Sequence, residues 1–122
     1  MAYSAIVLEH LKHPRNTGQL ENPDGVGQAG VPGCDDLVRI AVKVENERIK
    51  IIKFQALGCV SAIVVSSALT ELAQDKSVKE ALQITPQMIL DFLGGLPEDK
   101  KQHAEMPLEA LKKALENAGV IE

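Results

Sequence analysis

Two cysteines and three histidines are the only thiols and imidazoles in the 122 residues, and three of these five stand where chemistry is plausible. Cys34 lies in "GVPGCDD", where Pro32 and Gly33 bend the chain before a strand-like run and leave Cys34, Asp35 and Asp36 in an exposed turn. Cys59 lies in "LGCVSAI", at the start of a helix-like run, where free backbone N–H groups and the positive end of the helix dipole favour negative charge. His103 lies in "QHAEM", just ahead of the apolar-periodic run "PLEALKKALENA". Thiolate and neutral imidazole both bind zinc or iron, and thiolate is also the form that attacks sulfur.

Spacing alone does not choose among these chemistries. Neither cysteine belongs to a C-x-x-C pair, so the strong zinc and cluster signatures are missing. A lone cysteine at a strand-to-helix junction also serves as a small buried hydrophobe, and Cys34 and His103 also read as an incidental loop thiol and a solvated histidine. Two cysteines in a reducing compartment point to thiols or ligands rather than a structural disulfide. His10 and His13 read as helix-end residues, and Lys112, Lys113 and Glu116 as a solvated face.

The elements that must position these residues are visible in the hydrophobic period. "SAIVLEHLKH" places Ile6, Val7, His10 and Leu11 on one helical face, and Pro14 ends the helix by disfavouring helical geometry at His13. From Pro14 to Pro32 the chain is rich in Gly, Asn and Pro and reads as loop with one short strand around Val26 to Val31. "LVRIAVKV" alternates, with Val38, Ile40, Val42 and Val44 on one face and Arg39 and Lys43 on the other. "ENER" makes a turn, and Ile52, Phe54 and Ala56 resume the alternation, which predicts an antiparallel hairpin. After Gly58 the period becomes helical through Ala62, Val65, Leu69 and Leu72, with Ser61 expected as the N-cap.

Ser77 and Glu80 form a capping-box pattern, and Thr85-Pro86 reads as a cap followed by proline at the first helical position. A last helix is predicted from about Pro107, with Leu108, Leu111, Leu115 and Ala118 on one face, ending before Gly119. The class is α+β: a small antiparallel sheet of about three strands packed against several helices. Residues 1–122 are expected to form a single domain, which at this length buries roughly 65% of its unfolded surface.

A formal charge of −4 removes the basic footprint of a nucleic-acid binder, and Tyr3, Phe54 and Phe92 are too few to stack bases. The longest apolar runs, "AIVL" and "AIVV", are too short for a signal segment or a membrane span, so a soluble cytoplasmic protein is expected.

From "YSAIVLEHLKHPRNTG" to "LEALKKALENA" the chain resembles the IscU-type iron-sulfur cluster scaffold proteins, also found as the N-terminal domain of NifU. The resemblance rests on "HPRNTG", "GVPGCDD", "GCVSAIVVSSALTE", "SVKEAL" and "LPEDK", which agree in order and spacing. It implies a non-enzymatic scaffold in which three cysteines and an aspartate converge at one end of the molecule to hold a cluster or a single metal ion. On this chain the first cysteine is Cys34, the aspartate Asp36 and the second cysteine Cys59. A gap-free count along "LPEDKKQH" puts His103 in place of the third cysteine. A slip of one residue instead matches His103 to the family's histidine and puts Ala104 at the cysteine position.

The implied cargo is a [2Fe-2S] cluster, or its iron and sulfide precursors, on Cys34, Asp36, Cys59 and His103, with Zn2+ as the alternative. The implied partners are a cysteine desulfurase and apo iron-sulfur acceptor proteins, and a homodimer is compatible with the resemblance. The family's third cysteine is associated with receiving persulfide sulfur, which imidazole cannot carry, so Cys34 or Cys59 must accept it, Cys34 being the more reachable. "LPEDK" replaces a proline and an aliphatic residue of the family's "LPPVK" signature with Glu98 and Asp99, which argues against docking of an Hsp70-type chaperone. The alternative function is a zinc-binding or metal-free regulator, or a sulfur-transfer partner, of the desulfurase.

Overall fold

The computed structural model describes residues 4–30, 36–96 and 103–121. Three antiparallel strands, β1 (Gly25–Gly30), β2 (Leu37–Glu45) and β3 (Arg48–Leu57), form one sheet in the order β1-β2-β3. The β2–β3 hairpin closes on Asn46 and Glu47, both at positive φ (53° and 63°), a two-residue turn whose twist matches that of the strands. The class is α+β, as the hydrophobic period implies.

One face of the sheet supplies the core. Val38, Ile40 and Val42 of β2 and Ile52 and Phe54 of β3 are buried, as their alternation predicts. Ile49 is buried too, three positions before Ile52 rather than two. The cause is a register shift beside Lys43 and Val44: Lys43 pairs with Ile51 and Val44 with Ile49, so Lys50 is the extra residue of a bulge.

The helices are α1 (Ala5–Lys12), α2 (Val60–Ala73), α3 (Val78–Ala81), α4 (Pro86–Leu93) and α5 (Glu105–Asn117). Ser4 caps α1, Ser77 and Glu80 form a reciprocal capping box on α3, and Thr85 caps α4, which Gly94 ends in the left-handed region at φ 76°. Two boundaries differ from expectation. The N-cap of α2 is Cys59, with Ser61 buried inside the first turn. Helix α5 starts at Glu105, two residues before Pro107; proline is accepted there because first-turn N–H groups have no intrahelical partner.

α2 is buried nearly all round, and it packs against β3, α1 and α4. α5 lies across β1 at very short range. A Cβ at Gly25 would come within 2.1 Å of the Ala114 carbonyl oxygen, and one at Gly27 within 2.1 Å of that of Ala110. Only glycine on the strand, against Ala110, Ala114 and Ala118 on the helix, permits this approach.

Residues 16–18 add to the free edge of β3: the Phe54 N–H donates to the Asn16 carbonyl (2.9 Å) and the Gly18 N–H to the Phe54 carbonyl (3.0 Å). The chain then crosses the outer face of the sheet to reach β1 on the far edge, where the Asp24 N–H donates to the Val42 carbonyl (2.8 Å). The Gly- and Asn-rich loop of the sequence is thus a strap anchored at both ends. Among the described residues, no helix is long and apolar enough to cross a membrane.

Candidate metal centre

β2 begins at Leu37 and β3 ends at Leu57, and these two residues are cross-strand partners. Asp36 and Cys59, just outside the pair, therefore meet. Gly58 makes the final bend at φ 121°, where a Cβ would lie 1.9 Å from Asp36 Oδ1. Glycine at this position admits the carboxylate to the N-terminus of α2. There Asp36 Oδ1 accepts the Cys59 backbone N–H (2.9 Å), and Oδ2 accepts the Cys59 thiol (3.2 Å).

The third member comes from the other end of the chain. His103 lies in the 3₁₀ turn that leads into α5, and the close packing of α5 on β1 fixes it against the sheet. It is 2% exposed, and its Nε2 lies 2.6 Å from Asp36 Oδ2. Burial alone would raise the Asp36 carboxyl, which is 9% exposed, but the Cys59 N–H, the Cys59 thiol and His103 together hold it below the usual value. An ionised Asp36 only accepts, so Nε2 is assigned as the N–H facing it; in the neutral ring Nδ1 then carries the lone pair. Nδ1 is buried with no hydrogen-bond partner among the described residues.

Asp36, Cys59 and His103 each offer one ligand atom, and these atoms lie within 4.8 Å of one another. A thiol, a carboxylate and an imidazole make a mixed soft, hard and borderline donor set suited to zinc or iron. A buried imidazole nitrogen without a partner fits the same reading, since such an atom otherwise carries an uncompensated cost. The structure brings together three of the four sequence-predicted site residues. Cys34 lies outside the described residues, as do Glu98 and Asp99 of the "LPEDK" stretch.

Two residues carry more than their sequence reading gave them. Gly58, read only as a junction, clears the space that Asp36 occupies. His10, read as a helix-end residue, is 2% exposed: its Nδ1 lies 2.7 Å from Ser67 Oγ, its Nε2 3.5 Å from Glu71 Oε2, and its ring packs edge-on to Phe92 at 5.7 Å. The stripe Val7, His10 and Leu11 carried that signal, although Ile6 is exposed.

The family described as NifU-like N terminal domain matches residues 2–119. The chain is 45% identical over 113 residues to iron-sulfur cluster assembly scaffold protein IscU 1 of Archaeoglobus fulgidus, covering 93% of this chain and 74% of that one. It is 43% identical over 117 residues to the IscU scaffold protein of Aquifex aeolicus, covering 94% and 74%. In fold it is similar to the crystal structure of a nitrogen-fixing NifU-like protein (N-terminal) from Brucella abortus, with a TM-score of 0.80, 14% identity and coverage of 98% and 95%. A family match over nearly all of its length, with relatives above 40% identity, means that the chain belongs to the family of NifU-like N-terminal domains.

Proposed function

We propose that this protein is an iron-sulfur cluster assembly scaffold, a carrier without turnover of its own, which holds a [2Fe-2S] cluster or its iron and sulfide precursors and passes it to apo-proteins. The observation that carries this reading is the meeting of Asp36, Cys59 and His103 within 4.8 Å, in a chain whose relatives are named as such scaffolds. Cys34, two residues before Asp36 in sequence, is the fourth donor of the proposal. Asp36 is the hard ligand among softer ones and the bond most easily exchanged. Sulfur enters from a cysteine desulfurase on Cys34 or Cys59, in the cytoplasm.

A second reading draws on how tightly the donors cluster. The ligand atoms of Asp36, Cys59 and His103 lie within 4.8 Å of one another, close enough for one ion to gather all three at bonds of about 2.0–2.3 Å. A single Zn2+ in a desulfurase-binding regulator would use the same residues.

Anaerobic purification followed by iron, sulfide and zinc analysis and an absorption spectrum separates the two. Iron and sulfide in equal amounts, with a visible chromophore that apo-ferredoxin takes up, are expected of the scaffold. Stoichiometric zinc that iron and sulfide cannot displace would replace it with the regulator.

A further inference from the structure

Between the strap and the outer face of the sheet lies a cavity of about 250 Å³ that shares no residue with the metal centre. Its walls include Gln19 and Leu20 of the strap, and its floor includes Arg39, Lys53 and Gln55. Arg39 pairs with Gln55 and Ala41 with Lys53 across the ladder. The two cations are therefore diagonal neighbours on one face, roughly 7–8 Å apart along the backbone.

The electrostatics of this cavity run against those of the whole chain. The protein carries a formal charge of −4, yet among the described residues no carboxylate lines the cavity. Neither Arg39 nor Lys53 has an ion-pair partner among the described residues. Glu21 and Asp24, the acidic residues of the strap, are not among the lining groups, and Asp24 Oδ2 already accepts the Val44 N–H at 2.8 Å. The cavity is also preformed. The strap is hydrogen-bonded at both ends, and its path places Asn16, Gly18 and Asn22 in the left-handed region, at φ 56°, 114° and 51°.

We propose that this cavity binds a small phosphoryl dianion. Arg39 supplies paired N–H donors in a planar fork, Lys53 a point charge, and the Gln19 and Gln55 amides supply uncharged donors. Free phosphate and a phosphate monoester present the same group, and the volume admits either.

The test is amide chemical-shift titration of the full chain with inorganic phosphate, with glycerol 3-phosphate, and with potassium chloride at matched ionic strength. Saturable shifts centred on residues 18–20, 39, 53 and 55 are expected with the phosphates and not with chloride. Arg39→Gln and Lys53→Gln should each weaken the affinity at least tenfold, whereas Lys79→Gln, on α3, should leave it unchanged. Tighter binding of the ester identifies an esterified ligand, and equal or weaker binding identifies the free anion. Linear shifts matched by chloride, or the same affinity in all three variants, would overturn the proposal.

Discussion

Asp36 receives three donors on two oxygens, so removing its side chain acts on both the loaded and the unloaded protein. With a cluster bound, Asp36→Ala is expected to give a longer-lived complex and slower transfer to apo-ferredoxin, because the most exchangeable ligand is gone. Equal transfer rates would mean that Asp36 does not set lability. Without a cluster, the same variant leaves a buried imidazole N–H and a helix N-terminus unpartnered, and denaturant unfolding should show a loss of about 2 kcal/mol. His103→Cys should still assemble a cluster, at a lower reduction potential, since thiolate donates more charge than imidazole; an unchanged potential would make His103 a bystander. The residue types of the site were legible in the sequence, and so was the order of its motifs. The hydrogen bonds among them were not, because nothing in a linear pattern says that Gly58 clears space for a carboxylate. His10 gives the pH test. Burial lowers its pKa, helped by Arg15 and opposed by Glu71 and Glu9. The unfolded chain therefore binds the proton first, and stability is expected to fall as pH drops from about 6.5 through the lowered folded value. His10→Gln should flatten that part of a stability-against-pH curve.

Among the elements, β1 was the weakest in sequence and is among the most constrained in space. "GVGQAG" has three glycines and a single β-branched residue, poor material for a strand by propensity. It is a strand because β2 pairs with it along its length and α5 seals it at backbone contact distance. Gly27→Ala is expected to force α5 outward at a cost of about 1–3 kcal/mol, read as a lowered melting temperature. The same displacement should weaken metal binding, because His103 sits in the turn that leads directly into α5. Strands β2 and β3 and the capped helices α3 and α4 were legible, since alternation and capping chemistry are local. The start of α5 and the bulge at Lys50 were not. The first depends on proline being tolerated in a first turn, and the second on Ile49 reaching the core out of phase with Ile52.

For the whole molecule, the class, the family and a convergence of the donors were within reach of pattern and resemblance, whereas the contacts that hold Asp36, Cys59 and His103 together were not. Asp36 reaches Cys59 across 23 residues of sequence and His103 across 67. Only the assembled sheet and α5 bring those segments together. An ion or cluster held there acts as a reversible cross-link between chain segments that unfolding separates. Ligand at 100 times its dissociation constant should raise unfolding free energy by about 2.7 kcal/mol, provided the unfolded chain does not compete for it. Thermal melts of the apo and loaded forms measure this, and coincident melts would show that the site gives the fold no support. The expected difference has a consequence for turnover in the cell. An empty molecule opens more often than a filled one and is the better substrate for proteases, so the abundance of the protein would follow the supply of its own cargo.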